Sequence, residues 1–187
     1  MKSLNYSFGA CFLGALLLLT VPLNYMAGVI LAAAFHEACH LLAIYLLGGR
    51  VRNLTLTPTG IRMEMDPLPP LKELLAAAAG PAGSLFLLIF IRTAPEVALA
   101  GAVQGFFNLL PIYPMDGGRM LKCFLGLFLS EKTRDFLCRW TEILTLGTLL
   151  FFLLKVPGPW GLILGICLFF PILSAKIPCK EETFRVQ

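Results

Sequence analysis

Apolar residues run along this chain in long blocks, and the polar positions between the blocks divide it into elements. The stretch from Phe8 to Leu47 is apolar almost throughout. One crossing of a bilayer needs about 20 helical residues, so this block is about two crossings long. Thr20, Pro22 and Asn24 divide it into a first span over about 8–22 and a second over about 25–47, which Gly48 and Gly49 stop. The stretch 50–66 is different in kind. Leu54 and Leu56, then Ile61, Met63 and Met65, recur at period two around Thr57-Pro58-Thr59-Gly60, which predicts a small β-hairpin at the membrane surface. Pro67, Pro69 and Pro70 end it. A third span follows over about 73–91 with a kink at Gly80-Pro81. A fourth, over about 97–110, breaks where Asn108 runs into Pro111, Pro114, Gly117 and Gly118. Beyond an apolar tail and the polar stretch Ser130–Arg139, runs over about 141–156 and 160–175 form a helical hairpin at Pro157-Gly158-Pro159. The pattern predicts an all-α polytopic membrane protein of about six transmembrane helices with one membrane-surface hairpin.

Composition supports this. Of 187 residues, 58% are hydrophobic and 14% charged, where a soluble domain has roughly 45–50% and about 25%. There is too little polar surface for a water-soluble globule, and the unbroken apolar runs exclude an outer-membrane barrel. Lys2 and the run after it resemble a signal peptide, but the run has no small-residue cleavage site and re-enters an apolar stretch, so a retained span is expected. The six cysteines have neither framework spacing nor a CxxC pair and read as space-filling free thiols.

The net charge of +4 carries no aromatic-interleaved basic stripe, so nucleic acid is not an expected partner. It reads as topology instead. With the N-terminus in the cytoplasm and six crossings, every basic residue except Arg92 and Lys155 falls inside, which predicts a multi-pass cell-membrane protein with both termini cytoplasmic. Pairs such as Gly101/Gly105 and Gly161/Gly165 read as helix-packing faces.

Within the second span stands Phe35-His36-Glu37-Ala38-Cys39-His40-Leu41, which carries the chain's two histidines. Ionisable groups at membrane depth are costly and mark function. Positions four apart on a helix lie one above the other, so His36 and His40 present two imidazoles on one face, with Glu37 about 100° around the axis. This is the HExxH arrangement, in which the histidines hold zinc and the glutamate takes a proton from zinc-bound water. The alternatives are a buried polar cluster that bonds neighbouring helices, or a closed structural metal site with Cys39 as a further ligand. A catalytic zinc takes three protein ligands and keeps one position open. Asp116 is the candidate third ligand, being the only other carboxylate at a matching depth; the competing reading makes it a turn residue in Asp-Gly-Gly.

These two motifs, in this order, resemble the site-2 protease family of intramembrane zinc metalloproteases. The resemblance rests on His36-Glu37-Ala38-Cys39-His40 and on Asn108-x-x-Pro111-x-x-Pro114-x-Asp116-Gly117, with Gly80-Pro81 between them similar to the family's GP element. The wording from Asn108 to Arg119 is most similar to the sporulation branch, the stage IV sporulation protein FB type, whose role is to cleave the membrane-associated pro-sequence of a sigma factor. The resemblance implies one zinc ion per chain held by His36, His40 and Asp116, with Glu37 as catalytic base. It further implies a substrate-contacting loop of Asn108, Pro111 and Pro114, and a membrane-edge β-loop at about 50–66. It implies a membrane-associated protein substrate in the lipid bilayer and leaves room for an inhibitory membrane partner or a homo-oligomer. Residues 1–187 read as a single membrane-embedded metalloprotease domain without PDZ or CBS domains. The rival function is a non-proteolytic metal-binding scaffold or small transporter, which has no need of a glutamate next to the first histidine.

Overall fold

The computed structural model describes residues 5–6, 22–57 and 60–155. The expected first span over about 8–22, the run over 160–175 and the Gly161/Gly165 pair lie outside these residues. The elements in chain order are β1 (Asn5–Tyr6), α1 (Leu23–Leu46), β2 (Val51–Thr57), β3 (Gly60–Met65), α2 (Pro70–Phe86) continued by a 3-10 turn (Leu87–Phe90), α3 (Pro95–Asn108), α4 (Asp116–Gly126) and α5 (Glu131–Leu154). Among the described residues, three helical stretches, Tyr25–Leu46, Pro70–Phe90 and Glu131–Leu154, are long and apolar enough to cross a membrane. The 14-residue α3 and 11-residue α4 are shorter than a crossing.

The molecule carries its apolar side chains outward. Val29, Ile30, Leu31, Leu42, Tyr45 and Leu46 on α1, and Leu150, Phe151, Phe152 and Leu154 on α5, are exposed. The interior holds small residues, the polar groups His36, His40, Ser84 and Asp116, and a few large apolar side chains such as Ile44, Leu87 and Ile112. On α1 the buried positions Gly28, Ala32, His36, His40 and Ile44 recur at intervals of four, which makes a single row along the helix. On α2 the buried residues Ala76, Ala77, Gly80, Pro81 and Ser84 are all small, and this helix packs against α1, α3 and α4. Small residues let backbones approach closely where no water-driven hydrophobic force acts between helices. A Cβ on Gly101 would lie 2.8 Å from the Ser84 carbonyl oxygen, and one on Gly105 would lie 3.1 Å from the Ser84 Cβ. The Gly101/Gly105 pair is thus a packing face of α3 on α2.

The predicted hairpin is present. Strands β2 and β3 pair antiparallel from Val51 opposite Met65 to Thr57 opposite Gly60, with an irregularity between Val51 and Asn53. β1 adds a two-residue parallel third strand on β2, with Asn5 opposite Thr55, so among the described residues β1 and β3 are the edges of the sheet and β3 is the longer one. The pairing with β1 joins segments far apart in sequence and leaves no local signature. Two boundaries differ from the sequence reading. Asp116-Gly117-Gly118 is the first turn of a helix rather than a turn followed by an apolar tail, because the glycines accept the Leu109–Tyr113 loop lying against them: a Cβ on Gly117 would lie 2.1 Å from the Leu109 carbonyl oxygen. The polar stretch 130–139 likewise belongs to α5. Its charges sit on a helix that continues into the apolar run, and they do not interrupt it. Cys39, Cys123 and Cys138 are free thiols, as their spacing suggested.

Gly101 and Gly147 make opposite predictions. Gly101→Val should lower the thermal stability of the detergent-purified protein by about 1–3 kcal/mol through overpacking, whereas Gly147→Ala, whose Cβ meets nothing within 4 Å, should leave the melting temperature unchanged.

Candidate metal centre

His36 and His40 lie midway along α1 and face inward, 2% and 7% exposed, although they sit in a helix whose other faces are apolar and exposed. Asp116 reaches them from the first turn of α4 and is 9% exposed. A helix start is a favourable place for a carboxylate, because the partial positive charge of the free backbone N–H groups faces it. His36 Nε2, His40 Nε2 and Asp116 Oδ2 form a triangle with each side 3.1 Å.

The outer nitrogens of both rings are also held. His40 Nδ1 donates to the Ala76 carbonyl oxygen at 2.8 Å, and His36 Nδ1 lies 2.8 Å from the hydroxyl of fully buried Ser84. A carbonyl can only accept, so neutral His40 carries its proton on Nδ1 and turns a bare Nε2 lone pair toward His36 and Asp116. Bare His40 Nε2 and ionised Asp116 Oδ2, both acceptors, face each other at 3.1 Å and repel unless a proton or a metal cation lies between them. The donor set therefore fits a divalent metal. Ligand atoms at about 2.0–2.1 Å from a tetrahedral zinc lie about 3.3 Å apart, close to the spacing observed.

Residues 76, 80 and 84 of α2 line this face at intervals of four. Ala76 and Ser84 orient the two rings, and Gly80 between them clears space. A Cβ on Gly80 would lie 2.1 Å from His40 Nε2. The sequence singled out Gly80-Pro81 but not these roles. The available signal was the spacing Ala76/Gly80/Ser84 matched to His36/His40 on a neighbouring helix. Pro81 itself lies inside a continuous helix.

The remaining candidates surround the triangle. Glu37 follows His36 on α1 and is half-buried. Asn108, the last residue of α3, places its side-chain nitrogen 3.4 Å from His36 Nε2. Pro111 and Pro114 lie in the loop from Leu109 to Met115, with a cis peptide bond at Tyr113-Pro114. That loop is anchored by buried Ile112 and Met115, which pack with Phe107, Leu110, Leu146 and Leu149. It hangs between α3 and α4 with Asn108 at one end and Asp116 at the other. Cys39 is outside the triangle: a Cβ on Gly83 of α2 would lie 2.3 Å from its sulfur. Among the described residues, His36, His40 and Asp116 are the one group of three such side chains close enough to share a metal.

No protein-family model matches the chain. It is 28% identical over 109 residues to a curated zinc metalloprotease of Methanocaldococcus jannaschii, an alignment that takes in 51% of this chain and 32% of the relative, so it spans about a third of that protein's length. The fold is similar to the solved site-2 protease from Methanocaldococcus jannaschii, with a TM-score of 0.68 and 22% identity over 97% of this chain and 94% of that one.

Removing a partner of a metal-binding histidine ring typically weakens metal binding about 10–100-fold. Ser84→Ala should lower zinc retention against a chelator by such a factor while the protein stays folded, and Gly80→Ala should abolish retention by displacing His40. Unchanged retention in both variants would show that α2 does not shape the site.

Proposed function

We propose that the chain is an intramembrane zinc metalloprotease of the site-2 protease family, hydrolysing peptide bonds of membrane-associated proteins near the cytoplasmic face. The observation that carries the proposal is the convergence of His36, His40 and Asp116 within 3.1 Å inside a bundle of apolar helices, with Glu37 beside the first histidine. The relative's zinc metalloprotease name and the shared fold support the same reading.

His36, His40 and Asp116 hold a single zinc. When bound, it supplies a Lewis acid that acidifies water and polarises a carbonyl. Ser84 and Ala76 fix the ring orientations. Glu37 takes the proton of the attacking water on its carboxylate and returns it to the nitrogen of the leaving amine. Asn108, near the same point, donates a hydrogen bond to the substrate carbonyl oxygen. Pro111 and Pro114 shape the loop along which the substrate lies. A helical substrate hides its carbonyls in its own hydrogen bonds and must be unwound, and the free edge of β3 offers backbone groups that can hold it extended. The proline-rich break between α3 and α4 beside the site gives water a way in. In this reading α3 and the broken segment after it together make the fourth of six crossings, and both termini lie inside. The wording from Asn108 to Arg119 supports a pro-sigma factor as the substrate class.

Glu37→Gln tests the proposal against the scaffold or transporter reading. Cleavage of a membrane-anchored reporter should fall by about 10²–10⁴ while zinc content matches wild type. Undiminished cleavage, or metal transport that survives with no cleavage in wild type, would overturn it.

A further inference from the structure

Where α1 ends and the hairpin begins, a groove of about 750 Å³ opens between Leu41, Ile44 and Tyr45 on α1 and Arg50, Arg52 and Asp66 at the base of the sheet. The metal centre lies farther up α1 and shares none of these residues. The groove has two kinds of wall. Leu41, Ile44 and Tyr45 recur at spacings of three and four and make an apolar strip on one helix face. The hairpin side is cationic: Arg52 pairs with Asp66, and among the described residues no carboxylate pairs with Arg50. Lys72, at the start of α2, adds a charge to the same corner by donating to the Leu47 carbonyl oxygen at 2.9 Å.

The placement adds a constraint on the occupant. If α1 crosses the bilayer, its end at Leu46 lies at the level of the lipid headgroups, and Tyr45, 77% exposed there, is the kind of residue that settles at that level. A groove with an apolar strip running toward the hydrocarbon and at its mouth a guanidinium that no described carboxylate pairs is complementary to an amphiphile with an anionic head. We propose that this groove binds one anionic phospholipid, its phosphate on Arg50 with Arg52 beside it and its acyl chains along Leu41 and Tyr45. The proposal depends on the chain being embedded in a membrane and not on its being a protease. Lipid held there would fix the hairpin, which follows α1 directly, against the headgroup layer.

The test is native mass spectrometry of the full chain released from nanodiscs of phosphatidylcholine containing a minor fraction of phosphatidylglycerol. Wild type should retain phosphatidylglycerol selectively. Arg50→Gln, which leaves the Arg52–Asp66 pair intact, should lower the retained fraction about tenfold, as loss of one charge-assisted phosphate contact implies, and Tyr45→Ala should lower it less. Lys132→Gln/Arg139→Gln, a charge change on α5 away from the groove, should have no effect. An unchanged melting temperature in detergent reports that each variant is folded. Equal retention by wild type and Arg50→Gln would overturn the proposal, as would equal losses in Arg50→Gln and the α5 variant, the mark of diffuse surface charge. Displacement by glycerol phosphate or by an acidic peptide would also overturn it, by showing an anion or protein site in place of a lipid site.

Discussion

Two imidazoles and a carboxylate are buried against one another inside a bundle whose outer surface is hydrocarbon-like, and the rest of the structure answers to that constraint. A charged group at the middle of a membrane costs at least about 2.5–3.5 kcal/mol on insertion scales, and the bare His40 Nε2 facing Asp116 Oδ2 at 3.1 Å adds repulsion. A cation removes both penalties at once. The outer ring nitrogens are satisfied by Ser84 and Ala76, so both inner ones turn toward the point they share with Asp116.

Helix α2 makes this possible by being thin. It lies between α1, α3 and α4, and every residue it buries is alanine, glycine, proline or serine. Bulky side chains there would hold α1 away from the helix start that carries Asp116. The same economy of volume recurs at Gly117 and Gly118, where the Leu109–Tyr113 loop lies against the first turn of α4. Ile112 and Met115 then fix this loop to α5. The ligand from α4 and the ligands from α1 thus arrive at one point through close backbone contacts, in a chain where most of the described large apolar residues face outward.

Much of this was legible in the sequence, for identifiable reasons. The second and third spans follow from apolar runs bounded by glycine and proline, and the hairpin from alternation at period two. The histidine pair follows from helical periodicity, since residues four apart share a face. Asp116 could be singled out because carboxylates at that depth are scarce. Other features depend on partners distant in sequence. Ser84 and Ala76 acquire meaning only once α2 lies antiparallel to α1, and nothing local marks an alanine carbonyl as a histidine's partner. The hydropathy pattern also misplaced the start of α5, because charge along 130–139 interrupts an apolar run without interrupting a helix. Gly117 and Gly118 look like turn residues but serve close approach.

The most direct test of the account is zinc X-ray absorption on the purified protein. Two imidazole nitrogens and oxygen ligands at about 2.0–2.2 Å, lost together with the metal in Asp116→Ala, are the expected result. A sulfur ligand at about 2.3 Å, which would bring Cys39 into the coordination shell, or full zinc binding after Asp116 is replaced, would contradict it.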